Sequence, residues 1–224
     1  MLELVTNQNK TELKLKIKEI FYSIQGETSS SGYPTVFVRL TGCPLRCHYC
    51  DSSYAFSGGS LMTLTAILDK VASYNAKHIT VTGGEPLAQK NCLPLLQELC
   101  DRYQDVSLET SGAIDISATD TRVRRIVDIK TPDSGEVAKN YLDNLKYLKN
   151  GDEVKFVICS YNDFLWAKDF IETHELIGKV PILFSPSYQE LSIADLAAWI
   201  LEHNLDVRLQ DQLHKAIWGD IPGK

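Results

Sequence analysis

Gly42-Cys43-Pro44-Leu45-Arg46-Cys47-His48-Tyr49-Cys50-Asp51 places three cysteines within eight residues. Thiolates are soft ligands, so cysteines this crowded point to an iron–sulfur or zinc centre. A closed structural zinc site wants four protein ligands, and the nearest further candidate, His48, lies inside the same tight loop, where geometry disfavours it. A [4Fe–4S] cluster held by three cysteines leaves one iron free to bind a small molecule. The loop follows Thr35-Val36-Phe37-Val38-Arg39-Leu40, which reads as a buried strand. The thiols therefore sit at a strand's C-terminal end, where α/β folds assemble their sites.

Outward from the loop, strand and helix patterns alternate. Leu13, Leu15 and Ile17 alternate with Lys14, Lys16 and Lys18, the period of a strand with one wet face. Thr63 is a suitable N-cap for a helix presenting Leu64, Ile67, Leu68 and Val71 on one side. Residues 78–82 read as a strand, 91–103 as a helix with Pro94 in its first turn, and 106–109 as a strand. Residues 113–124 show no helical period. Strands follow at 125–129, 153–159, 180–184 and 207–209, and helices at 141–148, 162–174 and 193–203. This order implies a parallel sheet with right-handed crossovers. With about six repeats and some helices short or missing, a partial (βα) barrel is preferred over a full eightfold one, and a doubly wound sheet is the alternative.

The 224 residues suffice for one domain with a sizeable core, and no linker-like stretch divides them. The reading is a single domain, 1–224, with a short N-terminal strand extension and a C-terminal tail. A hydrophobic fraction of 44% and a charged fraction of 23% are those of a soluble globular protein. A net charge of −6 argues against a dominant nucleic-acid partner. Residues 1–20 mix charged and apolar positions, unlike a signal peptide or membrane span, so a cytoplasmic location is expected. Cys92, Cys100 and Cys159 lie in apolar patterns and read as buried thiols of a reducing compartment.

The polar segments share one placement. The cysteine loop, Gly83-Gly84-Glu85-Pro86, Glu109-Thr110-Ser111-Gly112, Asp128-Ile129-Lys130 and Ser185-Pro186 each follow the C-terminal end of an expected strand, and in an α/β barrel those ends share one mouth. Upstream, Ile24-Gln25-Gly26-Glu27 offers an amide and a carboxylate around a permissive glycine, which also fits a plain polar turn. Arg39 in an apolar run needs an anionic partner if it points inward, and none if it lies on a solvated edge.

Cys43-x3-Cys47-x2-Cys50 followed by Gly83-Gly84-Glu85-Pro86 resembles the radical S-adenosylmethionine superfamily. Ile24–Glu27, Phe37-Val38-Arg39, Cys50-Asp51-Ser52, Leu108–Gly112 and the tail Leu213-His214-Lys215-Ala216-Ile217-Trp218-Gly219 look like the 7-carboxy-7-deazaguanine synthases within it. The resemblance implies that Cys43, Cys47 and Cys50 hold a [4Fe–4S] cluster whose open iron takes S-adenosylmethionine. It further implies hydrogen abstraction from 6-carboxy-5,6,7,8-tetrahydropterin and ring contraction to 7-carboxy-7-deazaguanine with loss of ammonia, in queuosine-precursor biosynthesis.

By the same resemblance, Gly84, Glu85, Tyr49, Asp51, Ser111, Lys130 and Ser185 contact the cofactor. Ile24, Gln25, Gly26, Glu27 and Thr82 meet the pterin, Arg39 its carboxylate, and His214 closes the pocket. The family often carries a threonine after the Cys-Asp pair as a Mg²⁺ ligand; Ser52 stands here and keeps the hard oxygen that magnesium prefers. A small-molecule pterin substrate, a reductant such as flavodoxin or ferredoxin, and a homodimer are family expectations, with no nucleic acid and no membrane. The other readings are a glycyl-radical-enzyme activase acting on a protein, a non-catalytic iron–sulfur electron carrier, and a zinc-binding interaction module.

Overall fold

Residues 13–221 and 223 are described by the computed structural model. The part of the N-terminal reading that concerns residues 1–12 lies outside the described residues. The strands are β1 (Lys14–Ile24), β2 (Pro34–Leu40), β3 (Ser60–Thr63), β4 (His78–Gly83), β5 (Asp105–Thr110), β6 (Arg124–Asp128), β7 (Glu153–Ile158), β8 (Ile182–Pro186) and β9 (Arg208–Leu209). The α-helices are α1 (Leu64–Ala72), α2 (Cys92–Cys100), α3 (Tyr161–Thr173), α4 (Ile193–Glu202) and α5 (Leu213–Trp218).

The nine strands of the described residues join one sheet in the order β3-β1-β2-β4-β5-β6-β7-β8-β9. From β2 to β9 every neighbouring pair is parallel. Spatial order follows chain order without the reversal a doubly wound sheet requires, so the fold is the open, partial (βα) barrel. β1 pairs antiparallel with both β2 and β3, a hairpin extension of the barrel edge.

Side-chain alternation explains how this sheet makes a site. Val36, Val38, Leu40, Ile79, Val81 and Leu108 point outward against α1 and α2 in one core cluster. Val127, Val154, Phe156, Ile158, Ile182 and Phe184 form a second cluster with α3 and α4. The intervening residues, among them Phe37, Arg39, Thr82, Glu109, Ile126, Asp128, Lys155, Val157 and Ser185, line one cavity on the inner face. Apolar alternates thus secure the helices while polar alternates furnish the interior.

Several elements differ from the sequence reading. The helix expected at 141–148 is a 3₁₀ segment, Leu142–Tyr147. Its buried residue is Asn144, whose amide donates to Gly112 O at 3.1 Å and Ile114 O at 2.9 Å and accepts from Ile116 N at 3.0 Å. That segment satisfies loop backbone instead of packing an apolar stripe, so nothing sustains further helical turns. Strand β3 was not anticipated, being only four residues long. Of the three thiols read as buried, Cys92 is, whereas Cys100 and Cys159 are partly exposed.

Candidate active site

The cysteine loop rests directly on the Gly-Gly turn. Glu85 N donates to Gly42 O at 2.8 Å and Gly84 N to Leu40 O at 3.2 Å. A Cβ on Gly84 would fall 2.3 Å from Gly42 O and 2.8 Å from Cys43 Cβ, so glycine is what lets the two turns touch. Gly83 has φ +153, and a Cβ there would lie 2.3 Å from Leu40 O. Leu45, 2% exposed, pins the loop from within.

Cys43, Cys47 and Cys50 all line the cavity. A closed zinc site needs a fourth protein ligand, whereas three thiolates on one cavity suit a cluster that keeps an iron open to a small molecule. Burial pushes the Cys47 thiol up to about 11, chemistry that a bound metal reverses. Cys50 Sγ lies 3.8 Å from Ser52 Oγ, which puts that hydroxyl beside the metal-binding loop.

The wall next to the cysteines carries unsatisfied polar atoms. Tyr49 Oη and Asp128 Oδ1 are buried and have no hydrogen-bond partner among the described residues, although both residues line the cavity. Buried polar groups are nearly always paired, so two orphans on one wall fit a polar cofactor that completes them. Asp128 Oδ2 pairs with Lys130 Nζ at 3.0 Å. Burial alone would lower the Lys130 pKa, but the Asp128 carboxylate, through its charge and hydrogen bond, together with the nearby Cys47 and Cys50 thiols holds the ammonium above its usual value. Ser111 and Ser185 also line this end.

Glu85 is placed otherwise. It is 0% exposed, and it is missing from the cavity wall. Oε1 accepts from Leu87 N at 2.9 Å. Oε2 accepts from Thr110 Oγ1 at 2.9 Å, Ser111 N at 2.7 Å and Ser111 Oγ at 2.5 Å. The carboxylate braces the end of β5 and reaches the cavity through Thr110 and Ser111, which both line it.

The opposite end is built on Ile24, Gln25, Gly26 and Glu27 at the exit of β1. Gln25 Nε2 donates to Glu109 Oε1 at 3.1 Å, and Thr82 Oγ1 donates to Glu109 Oε2 at 2.8 Å. Burial and then the Glu27 charge raise the Glu109 pKa above 4.5. Burial would raise Glu27 too, but its ion pair with Lys155 and its bond from Gln212 Nε2 hold it below 4.5. The two carboxyls, neighbours in the interior, are thereby driven apart in acidity.

Arg39 has the anionic partner an inward orientation demands. Its Nε donates to Glu19 Oε1 at 2.7 Å, and Tyr54 Oη donates to the same oxygen at 2.7 Å. The cause lies in β1, where register slips between Ile17, opposite Leu40, and Glu19, opposite Arg39. This bulge at Lys18 turns Glu19 away from the Leu15 and Ile17 face and toward Arg39.

Helix α5 covers the turn. Leu213 N donates to Gly26 O at 3.0 Å, and a Cβ on Gly26 would fall 1.9 Å from His214 Nδ1. Lys215 Nζ pairs with Asp51 Oδ2 at 3.3 Å, so the tail ties the polar turn to the cysteine loop. Burial pushes the His214 pKa below 6.5.

The profile of the Radical SAM superfamily matches residues 37–134. The 7-carboxy-7-deazaguanine synthase of Chlorobaculum tepidum is 46% identical over 93% of this chain and 96% of its own length. That of Koribacter versatilis is 40% identical over 91% of this chain and 97% of its own. The chain belongs to the 7-carboxy-7-deazaguanine synthase family. The crystal structure of QueE from Escherichia coli superposes with a TM-score of 0.76 over 92% of this chain and 96% of that one, and at 21% identity it bears on the fold alone.

Every residue expected at the site, Glu85 excepted, lines this same cavity. Sequence reasoning missed Glu19, Tyr54, Lys155 and Gln212, and it quoted Asp128, Glu109 and Lys215 only within motifs. For Lys155 a signal existed: a charged residue inside the apolar run Val154 to Ile158, at a position that alternation turns inward.

Proposed function

We infer that this chain is a radical S-adenosylmethionine lyase that converts 6-carboxy-5,6,7,8-tetrahydropterin to 7-carboxy-7-deazaguanine and ammonia, in the formation of 7-deazapurines such as the queuosine precursor. The observation that carries the reading is one cavity joining three thiols, orphaned Tyr49 and Asp128 atoms, and a polar turn facing Arg39. Held by Cys43, Cys47 and Cys50, a [4Fe–4S] cluster with S-adenosylmethionine supplies one-electron sulfonium cleavage and hydrogen abstraction from the substrate.

The chain's own residues position and shield. Gly84 leaves room at the methionyl end, with Tyr49, Asp51, Ser111, Lys130 and Ser185 as further cofactor contacts. Glu85 serves by fixing Ser111. Arg39, oriented by Glu19 and Tyr54, pairs with the substrate carboxylate as a planar fork. Ile24, Gln25, Gly26, Glu27 and Thr82 read the donor-rich pterin edge. Glu109, the interior carboxyl of raised pKa, is the group suited to hold a proton while nitrogen is expelled. Ser52 Oγ offers Mg²⁺ a hard ligand beside the substrate carboxylate. His214 and α5 close over Gly26 and exclude water.

A low-potential donor of the flavodoxin or ferredoxin kind, a homodimer, a single domain over 1–224 and a cytoplasmic setting complete the reading. Among the described residues no helix is long and apolar enough to cross a membrane. The test is anaerobic turnover of reconstituted protein with dithionite, S-adenosylmethionine, Mg²⁺ and the pterin. Product of the mass of 7-carboxy-7-deazaguanine, with S-adenosylmethionine recovered, is expected; reductive cleavage without deazaguanine would overturn the substrate, as an activase would give.

A further inference from the structure

Outside the cavity, three metal-ligating side chains meet on its rim. His48 Nε2, Cys159 Sγ and a Glu190 carboxylate oxygen lie within 4.8 Å of one another, as no other such trio does among the described residues. None of the three lines the cavity. They arrive from separate segments: the cysteine loop, the residue after β7, and the β8–α4 connection. Each segment is held by its own backbone bonds. His48 N donates to Ser134 O at 3.2 Å, Ser187 N to Ile158 O at 2.8 Å and Glu190 N to Ser187 O at 3.2 Å. Cys159 N donates to Asp163 Oδ2 at 3.2 Å.

The Glu190 carboxylate is oriented through its second oxygen. Oε2 accepts from Ser187 Oγ at 2.6 Å, while His48 Nε2 lies 3.1 Å from Oε1 and 3.3 Å from Oε2. A ligand fixed from behind by a hydroxyl is the outer-shell arrangement that metal centres use to hold their first shell. Bonds of ~2.0 to 2.3 Å set ligand atoms ~3.3 to 3.8 Å apart in a tetrahedral site, so side-chain shifts of about 1 Å bring the trio onto an ion. Imidazole, thiolate and carboxylate together select a borderline-soft divalent ion over Mg²⁺ or Ca²⁺, which take oxygen ligands.

We propose that His48, Cys159 and Glu190 form a second metal site, distinct from the three-cysteine centre, that takes one Zn²⁺-type ion and leaves its fourth position to water. The ion clamps the loop between Cys47 and Cys50 onto the ends of β7 and β8. His48 thereby supports the cluster loop without entering the cluster's own coordination.

The test uses cluster-loaded protein prepared anaerobically, with iron and zinc counted per chain after dialysis against Zn²⁺. One zinc beyond an unchanged iron content is expected. Co²⁺ in its place should give a thiolate-to-cobalt charge-transfer band in the difference spectrum, lost in Cys159→Ala. Glu190→Gln, on the exposed rim, should lower zinc affinity by at least ~10-fold and Ser187→Ala by roughly 10-fold, the range outer-shell changes produce. No zinc beyond the cluster, or a cobalt band unchanged in Cys159→Ala, overturns the proposal.

Discussion

Glu85→Gln separates two roles that the Gly-Gly-Glu-Pro motif leaves entangled. The side chain keeps its volume but loses its charge and one acceptor. In the native structure it accepts four hydrogen bonds, from Leu87 N, Thr110 Oγ1, Ser111 N and Ser111 Oγ, at 0% exposure. Glutamine turned to keep the three donors on one oxygen directs its NH₂ at Leu87 N, so at least one bond to a charged acceptor is lost, costing about 1.5 to 3 kcal/mol. The three retained bonds weaken as their acceptor becomes neutral, so a total near 3 kcal/mol is expected. At about 2 to 4 °C per kcal/mol for a chain of this size, the midpoint of anaerobic thermal unfolding should fall by ~6 to 12 °C. Ser111 loosens with it, so KM for S-adenosylmethionine should rise while kcat at saturation changes little. An unchanged midpoint together with lost cofactor binding would refute this and make Glu85 a direct cofactor contact.

Other outcomes follow from the interior charges. Glu109→Gln removes the carboxyl suited to hold a proton and keeps an acceptor oxygen for only one of its two donors, Gln25 Nε2 and Thr82 Oγ1, so kcat should fall by about 100-fold or more with the midpoint level or lower; full activity contradicts the assignment. Glu19→Gln frees the Arg39 guanidinium, and KM for the pterin should rise on the order of 10-fold, about 1.4 kcal/mol, with cofactor affinity unchanged in calorimetry. The His214 pKa lies below 6.5 in the folded protein, so the undocked tail takes up a proton first as pH falls. Closure is therefore complete above 6.5 and weakens below it, and KM for the pterin should climb in that acid range but stay flat in His214→Gln.

The strand order and the Gly83-Gly84 turn were legible because both rest on local pattern: apolar alternation for the first, Cβ exclusion for the second. The inward alternates were harder. Glu19 carries no mark in the sequence, because its orientation depends on a bulge at Lys18 that only pairing with β2 reveals. Glu85 misled for a related reason: its motif sits at the cavity, yet its carboxylate turns toward Ser111 and Leu87. At 141–148 the helical period was real, and Asn144 overrode it by bonding to a loop some thirty positions upstream. Contacts distant in sequence leave no periodic trace, and much of the polar interior is made of them.

Electron paramagnetic resonance of the reduced, reconstituted protein, recorded with and without S-adenosylmethionine, tests most directly whether three cysteines hold a cluster with one iron open. Addition of the sulfonium compound should change the g-values of the cluster signal, and the change should vanish in Cys47→Ala along with the cluster. A spectrum indifferent to S-adenosylmethionine would mean that all four irons are closed by the protein, and the chemistry proposed for this cavity would have no starting point.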